Sequence, residues 1–212
     1  DLIDLHITPE IESIIELQSL GTNTPVINML NTKYLITGKS SVILNPYAMG
    51  NCWFVEDVQF VNTPDEECAA LKTLDLHVQA AADKNFKDIL NVQKPEVAPL
   101  MAYHEDKIEL ISYAPNCLEY RAQTEQNKVA VFSEIYYPHD WHLYLVDDNG
   151  NMEEIPLARV NYTLRGAVIP AGTHTLRMVF EPHALKTDKW SMGFLILALV
   201  LSAGALTSPL WR

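Results

Sequence analysis

The sequence predicts a mainly β protein, α+β overall, with a β-sandwich over residues 105–182, a mixed α/β stretch before it and an apolar helix after it. Three observations predict this. After residue 107, seven strand-like runs alternate with turn residues, at the spacing of about 8–12 residues that marks a sandwich. The first hundred residues instead mix helical periodicity with short β-branched runs. Residues 190–211 form a stretch of 22 residues without a formal charge.

Ile3, Ile7, Ile11, Ile14, Ile15 and Leu17 recur near helical spacing between acidic residues, so residues 1–20 read as a helix that Gly21 stops. Val26 to Leu30 reads as a second, short helix. Residues 32–37 and 41–44 read as strands joined by the Gly38-Lys39-Ser40 turn and closed by Asn45-Pro46. Trp53 to Val61 alternates well enough for one strand. Thr63, Pro64 and Glu66 then supply an N-cap, a first helical proline and a capping box, starting a helix that runs to Leu74. Residues 76–81 read as extended, Asp83 to Leu90 as a short helix or turn, and Asn91 to Tyr103, with Pro95 and Pro99, as a linker. Residues 1–104 are thus expected to form a mixed α/β region packing on a sandwich of residues 105–185.

The seven runs of the sandwich are Ile108–Tyr113, Cys117–Ala122, Val129–Tyr136, His142–Val146, Ile155–Ala158, Tyr162–Ile169 and Thr173–Phe180. Turn chemistry separates them at Ala114-Pro115-Asn116, Glu125-Gln126-Asn127, Asp148-Asn149-Gly150 and Pro170-Ala171-Gly172. Gly172 suits a left-handed turn position. Arg165-Gly166 and Asn161 fall in a late strand pair, where the glycine reads as a bulge or a close approach.

A chain of 212 residues, 48% of them apolar, can bury a substantial core. Its net charge of −12 and the lack of a basic cluster argue against a nucleic-acid partner. The acidic residues are scattered, and Asp147-Asp148-Asn149-Gly150 lacks the distal glutamate of a calcium-binding loop, so it reads as a hairpin turn. Cys52, Cys68 and Cys117 lie far apart without zinc-ligand spacing and read as free, partly buried thiols, the alternative being a disulfide between two of them whose pairing the sequence does not choose. The first residue is Asp1, so the N-terminus reads as that of a processed protein or a cut fragment.

A helix over residues 190–211 would rise about 33 Å, enough for a hydrocarbon core of about 30 Å. Trp190 and Trp211 would stand at the two interfaces, flanked by Lys186, Lys189 and Arg212. The segment is apolar on every side, which suits lipid better than a soluble surface. A membrane partner is therefore expected through this transmembrane-type helix. The alternative is a buried core helix, for which Met192 to Val200 is short enough, and Pro209 weakens the last turn.

Several stretches together resemble the C-terminal part of YfhO-family bacterial membrane proteins. They are DLIDLHI at residues 1–7, NMLNTKYLIT at 28–37, the Asn45-Pro46 turn followed by NCWFV, SEIYYPHDW at 133–141, the VNYTLRGAVIPAGTHTLRMVFEP block and the closing Trp190-to-Arg212 segment. The resemblance implies a polytopic parent of the GT-C glycosyltransferase type, which uses lipid-linked sugar donors and acts on cell-envelope polymers. It implies a bacterial inner-membrane location, with this region on the periplasmic side, packed against an upstream transmembrane bundle. The family's acidic catalytic residue would lie in an early loop of the parent, so no catalytic residue and no cofactor are carried over to this stretch. One departure stands out. The family often has Gly-Trp after the Tyr-Pro of its SE-x-YYP block, where this chain reads Pro138-His139-Asp140-Trp141.

That block holds the densest polar and aromatic constellation. Glu134, Tyr137, His139, Asp140 and Trp141 are the candidate glycan-binding residues, because aromatic rings pack on the apolar face of a sugar while carboxylates bind its hydroxyls. The competing reading makes Trp141 and the tyrosines part of the core. Ser133 beside a His/Asp pair invites a hydrolase reading, but no G-x-S-x-G elbow is present. His139 and His142 fall at a turn and a strand start, with only His174 as a distant third ligand, so no metal is expected. The chain is therefore expected to be non-catalytic, binding an acceptor glycan of the envelope. The alternative is a structural domain that assembles with protein partners and has no ligand of its own.

Overall fold

The computed structural model describes residues 2–17, 24–92, 106–147, 149–182 and 191–202. A π-helical turn over Ile3–Ile7 leads into helix α1 (Thr8–Leu17), and α2 (Pro25–Met29) follows. Strands β1 (Tyr34–Gly38) and β2 (Ser41–Leu44) form a separate antiparallel hairpin.

The run from Trp53 to Val61, expected as one strand, is two. β3 (Cys52–Val55) joins a four-stranded sheet, while β4 (Asp57–Val61) pairs in parallel with β5 (Gln79–Asp83) across helix α3 (Pro64–Ala70). The break falls at Glu56, whose amide and that of Asp57 both donate to the Val78 carbonyl, turning the chain from one sheet to the next. Thr63 caps α3 as expected, its hydroxyl accepting from the Glu66 amide at 3.2 Å. The Glu66 carboxylate reaches back one residue further than a capping box requires, to the Asn62 amide. A 3₁₀ turn (Lys84–Phe86) and α4 (Lys87–Leu90) complete this half. Most of the expected linker, residues 93–105, lies outside the described residues.

Eight strands follow: β6 (Lys107–Ala114), β7 (Cys117–Thr124), β8 (Lys128–Ile135), β9 (Trp141–Val146), β10 (Met152–Ile155), β11 (Ala158–Val160), β12 (Leu164–Ile169) and β13 (Gly172–Phe180). The extra strand arises because the run expected at Ile155–Ala158 is cut by Pro156, which cannot donate to a ladder. The chain is thus mainly β with several sheets. One has five antiparallel strands in the order β10-β9-β13-β7-β6, and another has four in the order β11-β12-β8-β3. The four-stranded sheet takes its edge strand from upstream of residue 105, because β8 needs a partner on its second edge and Cys52–Val55 pairs with Val129–Phe132.

Two apolar cores explain the layering. Leu118 and Tyr120 of β7, Ala130 and Phe132 of β8, Ala167 and Ile169 of β12, and Leu176 and Met178 of β13 meet between the two sheets. On the other face of the four-stranded sheet, Val129 and Val131 of β8 and Leu164 of β12 pack against Leu71, Leu76, Ala80 and Leu90 of the α/β half. This sheet is therefore covered on both sides, which is why the centres of β8 (Val129–Phe132) and β12 (Gly166–Ile169) are apolar without polar alternation.

Gly166 lies in the middle of β12, where a Cβ would stand 2.7 Å from Cγ1 of Val160 on β11. We expect Gly166→Ala to cost about 1–3 kcal/mol by overpacking, and Val160→Ala in the same chain to recover part of it. Urea denaturation of the two single variants and the double variant measures that coupling.

The segment expected as a transmembrane helix is described over residues 191–202, all helical and all exposed. Residue 190 and residues 203–211 lie outside the described residues. The described helix rises only about 18 Å, and among the described residues no helix is long and apolar enough to cross a membrane.

Candidate functional site

The five candidate residues lie on the connection by which the chain passes from the four-stranded sheet, at the end of β8, to the five-stranded sheet, at the start of β9. The structure divides them into an outer and an inner group.

Tyr137 and His139 form the outer group. Both are exposed, and their rings meet edge to face with centroids 5.6 Å apart. Asp140 is half-buried, and its carbonyl accepts from the Glu181 amide at 2.7 Å, tying the connection to the end of β13. Tyr136 turns the other way: its amide donates to the Thr163 carbonyl and its ring packs edge-on against Phe86.

Glu134 and Trp141 form the inner group. Half-buried Trp141 is fixed between the ring of Phe180, 5.3 Å away, and the guanidinium of Arg165, 4.3 Å from its ring centroid. Arg165 is buried; its Nε donates to the Ile135 carbonyl at 2.9 Å and an Nη approaches the Met178 sulfur. Among the described residues no carboxylate lies within ion-pair distance of it. Glu134 still acts on it electrostatically. The register explains why. Leu164 pairs with Ile135 but Arg165 with Phe132, so Ser133 and Glu134 bulge opposite the β12 backbone. The bulge sends the Ser133 hydroxyl to the Met29 carbonyl at 2.8 Å on one side of the sheet. On the other side it leaves Glu134 near Arg165 and the buried Tyr120, whose hydroxyl finds no partner among the described residues.

Burial pushes the Glu134 carboxyl above the usual carboxylate range, with Arg165 opposing the shift. A raised folded-state value means that protonated Glu134 is the form the fold favours. Its contribution to stability is present at acid pH and is lost as pH rises through the folded-state value. Glu134→Gln is therefore expected to raise the melting temperature near neutral pH and to leave it unchanged below the ordinary carboxylate range. An unchanged melting temperature at neutral pH contradicts this.

Sequence reasoning missed Arg165, reading its strand position only as a bulge or close packing. Both features exist, but the bulge lies on β8, and the cation beneath Trp141 is the residue that fixes the indole. A lone charge inside the LRGAVI run was the available signal. The Ser133 hydroxyl of the hydrolase reading donates to the Met29 carbonyl. His142 turns to the solvent face, where Nδ1 meets Glu154 at 2.7 Å. His174 lies six residues from Phe180 along β13, at the opposite end of the sheet, with its Nε2 near the Ala171 carbonyl. Among the described residues, no cluster of three or more His, Cys, Asp or Glu side chains is placed to hold a metal.

Elsewhere, a concave region of about 470 Å³ is lined by Leu5, His6, Glu10, Lys72 and neighbouring residues. Its buried polar groups are already engaged. His6 Nε2 donates to the Cys68 carbonyl, and Glu10 accepts from the Val26 and Ile27 amides, capping α2. Burial holds His6 below its ordinary value and Glu10 above its own, so both favour their neutral forms. In comparisons with known proteins, no family model, curated protein or solved structure matches this chain.

Proposed function

We propose that this chain is a non-catalytic, extracytoplasmic domain of a membrane protein that binds an acceptor glycan at the 136–141 connection. The observation that carries the reading is that one short connection carries both an exposed aromatic group and a fixed one. Tyr137 keeps 48% of its surface in solvent, while Trp141 is held by Phe180 and Arg165. A platform that is already rigid loses little entropy when a sugar face packs on it, and Glu134 and Asp140 supply acceptors for hydroxyls nearby. The membrane context is supported by the sequence resemblance and by the apolar helix 191–202.

The test is a titration of the whole chain with fragments of bacterial envelope polysaccharides. Tyr137→Ala, an exposed change expected to shift stability by no more than about 0.5 kcal/mol, should weaken binding about tenfold or more, the scale of one lost aromatic contact. Binding that is unchanged in this variant removes the site, and cleavage of the glycan removes the non-catalytic reading.

A second reading, assembly with a protein partner, is favoured by the N-terminal helical segment. Ile3, Leu5, Ile11 and Ile15 remain exposed along the π-turn and α1, an apolar surface that a neighbouring helix would cover.

A further inference from the structure

In the β1–β2 hairpin Tyr34 pairs with Leu44 and Ile36 with Val42, so these four side chains share one face. They stand at 63%, 61%, 79% and 60% exposure in that order. Leu35 and Ile43 on the other face are half-buried. A two-stranded hairpin is marginal in water, and a contiguous apolar face of this kind fits an apolar surrounding.

Its position narrows what that surrounding is. Asn45 bonds Asn28 and the Thr32 carbonyl, the Asn45 amide donates to Lys33, and the Ser133 amide donates to Asn51. The hairpin thus rises from the end of the body where β8 finishes. β13 finishes there too, with Phe180 paired to Trp141. Beyond residues 183–190 the chain continues into the helix of residues 191–202, which carries no charge and is exposed at every residue. The strand that leads toward this helix therefore finishes at the end of the body from which the hairpin rises, and the hairpin face and the helix are both apolar and exposed.

We propose that the Tyr34–Ile36–Val42–Leu44 face of the hairpin docks on the interfacial region of a lipid bilayer, as a second membrane contact beside the terminal apolar segment. The face offers no hydrogen-bonding group except the Tyr34 hydroxyl, which suits the headgroup level. Lys33 and Lys39, at the base and the tip, are exposed; their ammonium groups reach lipid phosphates while the face between them meets acyl chains. The inference rests on the reading of the terminal segment as a membrane anchor.

The experiment uses the whole chain with vesicles of phosphatidylcholine and phosphatidylglycerol, with Cys117 replaced by serine and Cys52 and Cys68 left buried. A fluorophore is placed in turn at Ile36→Cys, at Leu197→Cys in the terminal helix and at Gln123→Cys at the far end of the sheets. With lipids carrying a quencher high on the acyl chain, the probes at 36 and 197 should each lose about half their emission or more, and that at 123 should lose none. Adding Val42→Asp and Leu44→Asp, both exposed positions, should abolish the loss at 36 and spare that at 197. Quenching at 197 but not at 36 overturns the hairpin proposal and leaves the anchor intact. Quenching at neither position overturns both. Protection at 36 without lipid, together with crosslinked dimers in detergent, assigns the face to a second copy and also overturns the proposal.

Discussion

Replacing Glu67 with alanine is expected to destabilise the protein by about 3 kcal/mol, the lower part of the range of about 3–5 kcal/mol for removing one member of a buried ion pair. Glu67 of α3 is fully buried. One carboxylate oxygen accepts from an Arg159 Nη at 2.7 Å and the other from the Tyr162 amide at 2.8 Å. Burial outweighs both donors and pushes the carboxyl above its ordinary value, so the pair is not in itself a large source of stability. The cost of the substitution comes from what it abandons. Arg159 loses its counter-charge, although part of its side chain stays in water, and the Tyr162 amide loses its acceptor in a turn that holds Asn161 at φ 50° and Tyr162 at φ 68°.

That turn is where the α/β half is clasped to the sheets. Asn161 exchanges two hydrogen bonds with the backbone of Ala81 in β5, at 2.7 and 2.9 Å, beside the contact to α3. Glu67→Gln keeps an acceptor for Tyr162 and should lose less than Glu67→Ala. Urea denaturation of the two variants measures the difference, and equal losses would show that the amide contact carries nothing.

Phe132→Ala is the second large effect, expected to cost about 3–5 kcal/mol. Phe132 is fully buried between the sheets, edge-on to Tyr120 with centroids 4.9 Å apart. Its loss opens a cavity beside the Tyr120 hydroxyl, which already lacks a partner among the described residues. The same substitution at Phe54, on the half-buried edge strand, should cost less, because the cavity there can collapse or fill with water. Thermal unfolding of both variants checks the order, and an equal or larger loss at Phe54 would place the centre of the core elsewhere.

Much of the β-rich half was legible because turn chemistry interrupts it. The Asp147-to-Asn151 connection does join β9 to β10, with the Asp147 carboxylate gathering the Asn149 and Asn151 amides. Gly172 does take a positive φ, 125°. The Thr63 cap was equally plain. What the sequence concealed was partnership. WFVEDVQFV alternates well enough for one strand, and only the adjacent Glu56-Asp57 pair interrupts the pattern where its halves part to different sheets. Local pattern does not show that Cys52–Val55 reaches across more than seventy residues to pair with β8. Pro156 did carry a signal, and it marks the break between β10 and β11.

The candidate site was legible as composition and hidden as geometry. Five residues in eight positions were visible as a polar and aromatic cluster. Their separation into an exposed Tyr137–His139 pair and an inward Glu134–Trp141 pair depends on a β-bulge and on Arg165, some twenty-five residues downstream. A buried cation under an indole is a tertiary fact. No periodicity within either strand announces it.

The most direct measurement is hydrogen–deuterium exchange of the whole chain with and without a saturating envelope oligosaccharide. The account predicts slower exchange at residues 134–141 and at the neighbouring end of β13, with no change in the α/β half. Protection absent from that connection, or centred on the concave region around His6 and Glu10, would contradict it.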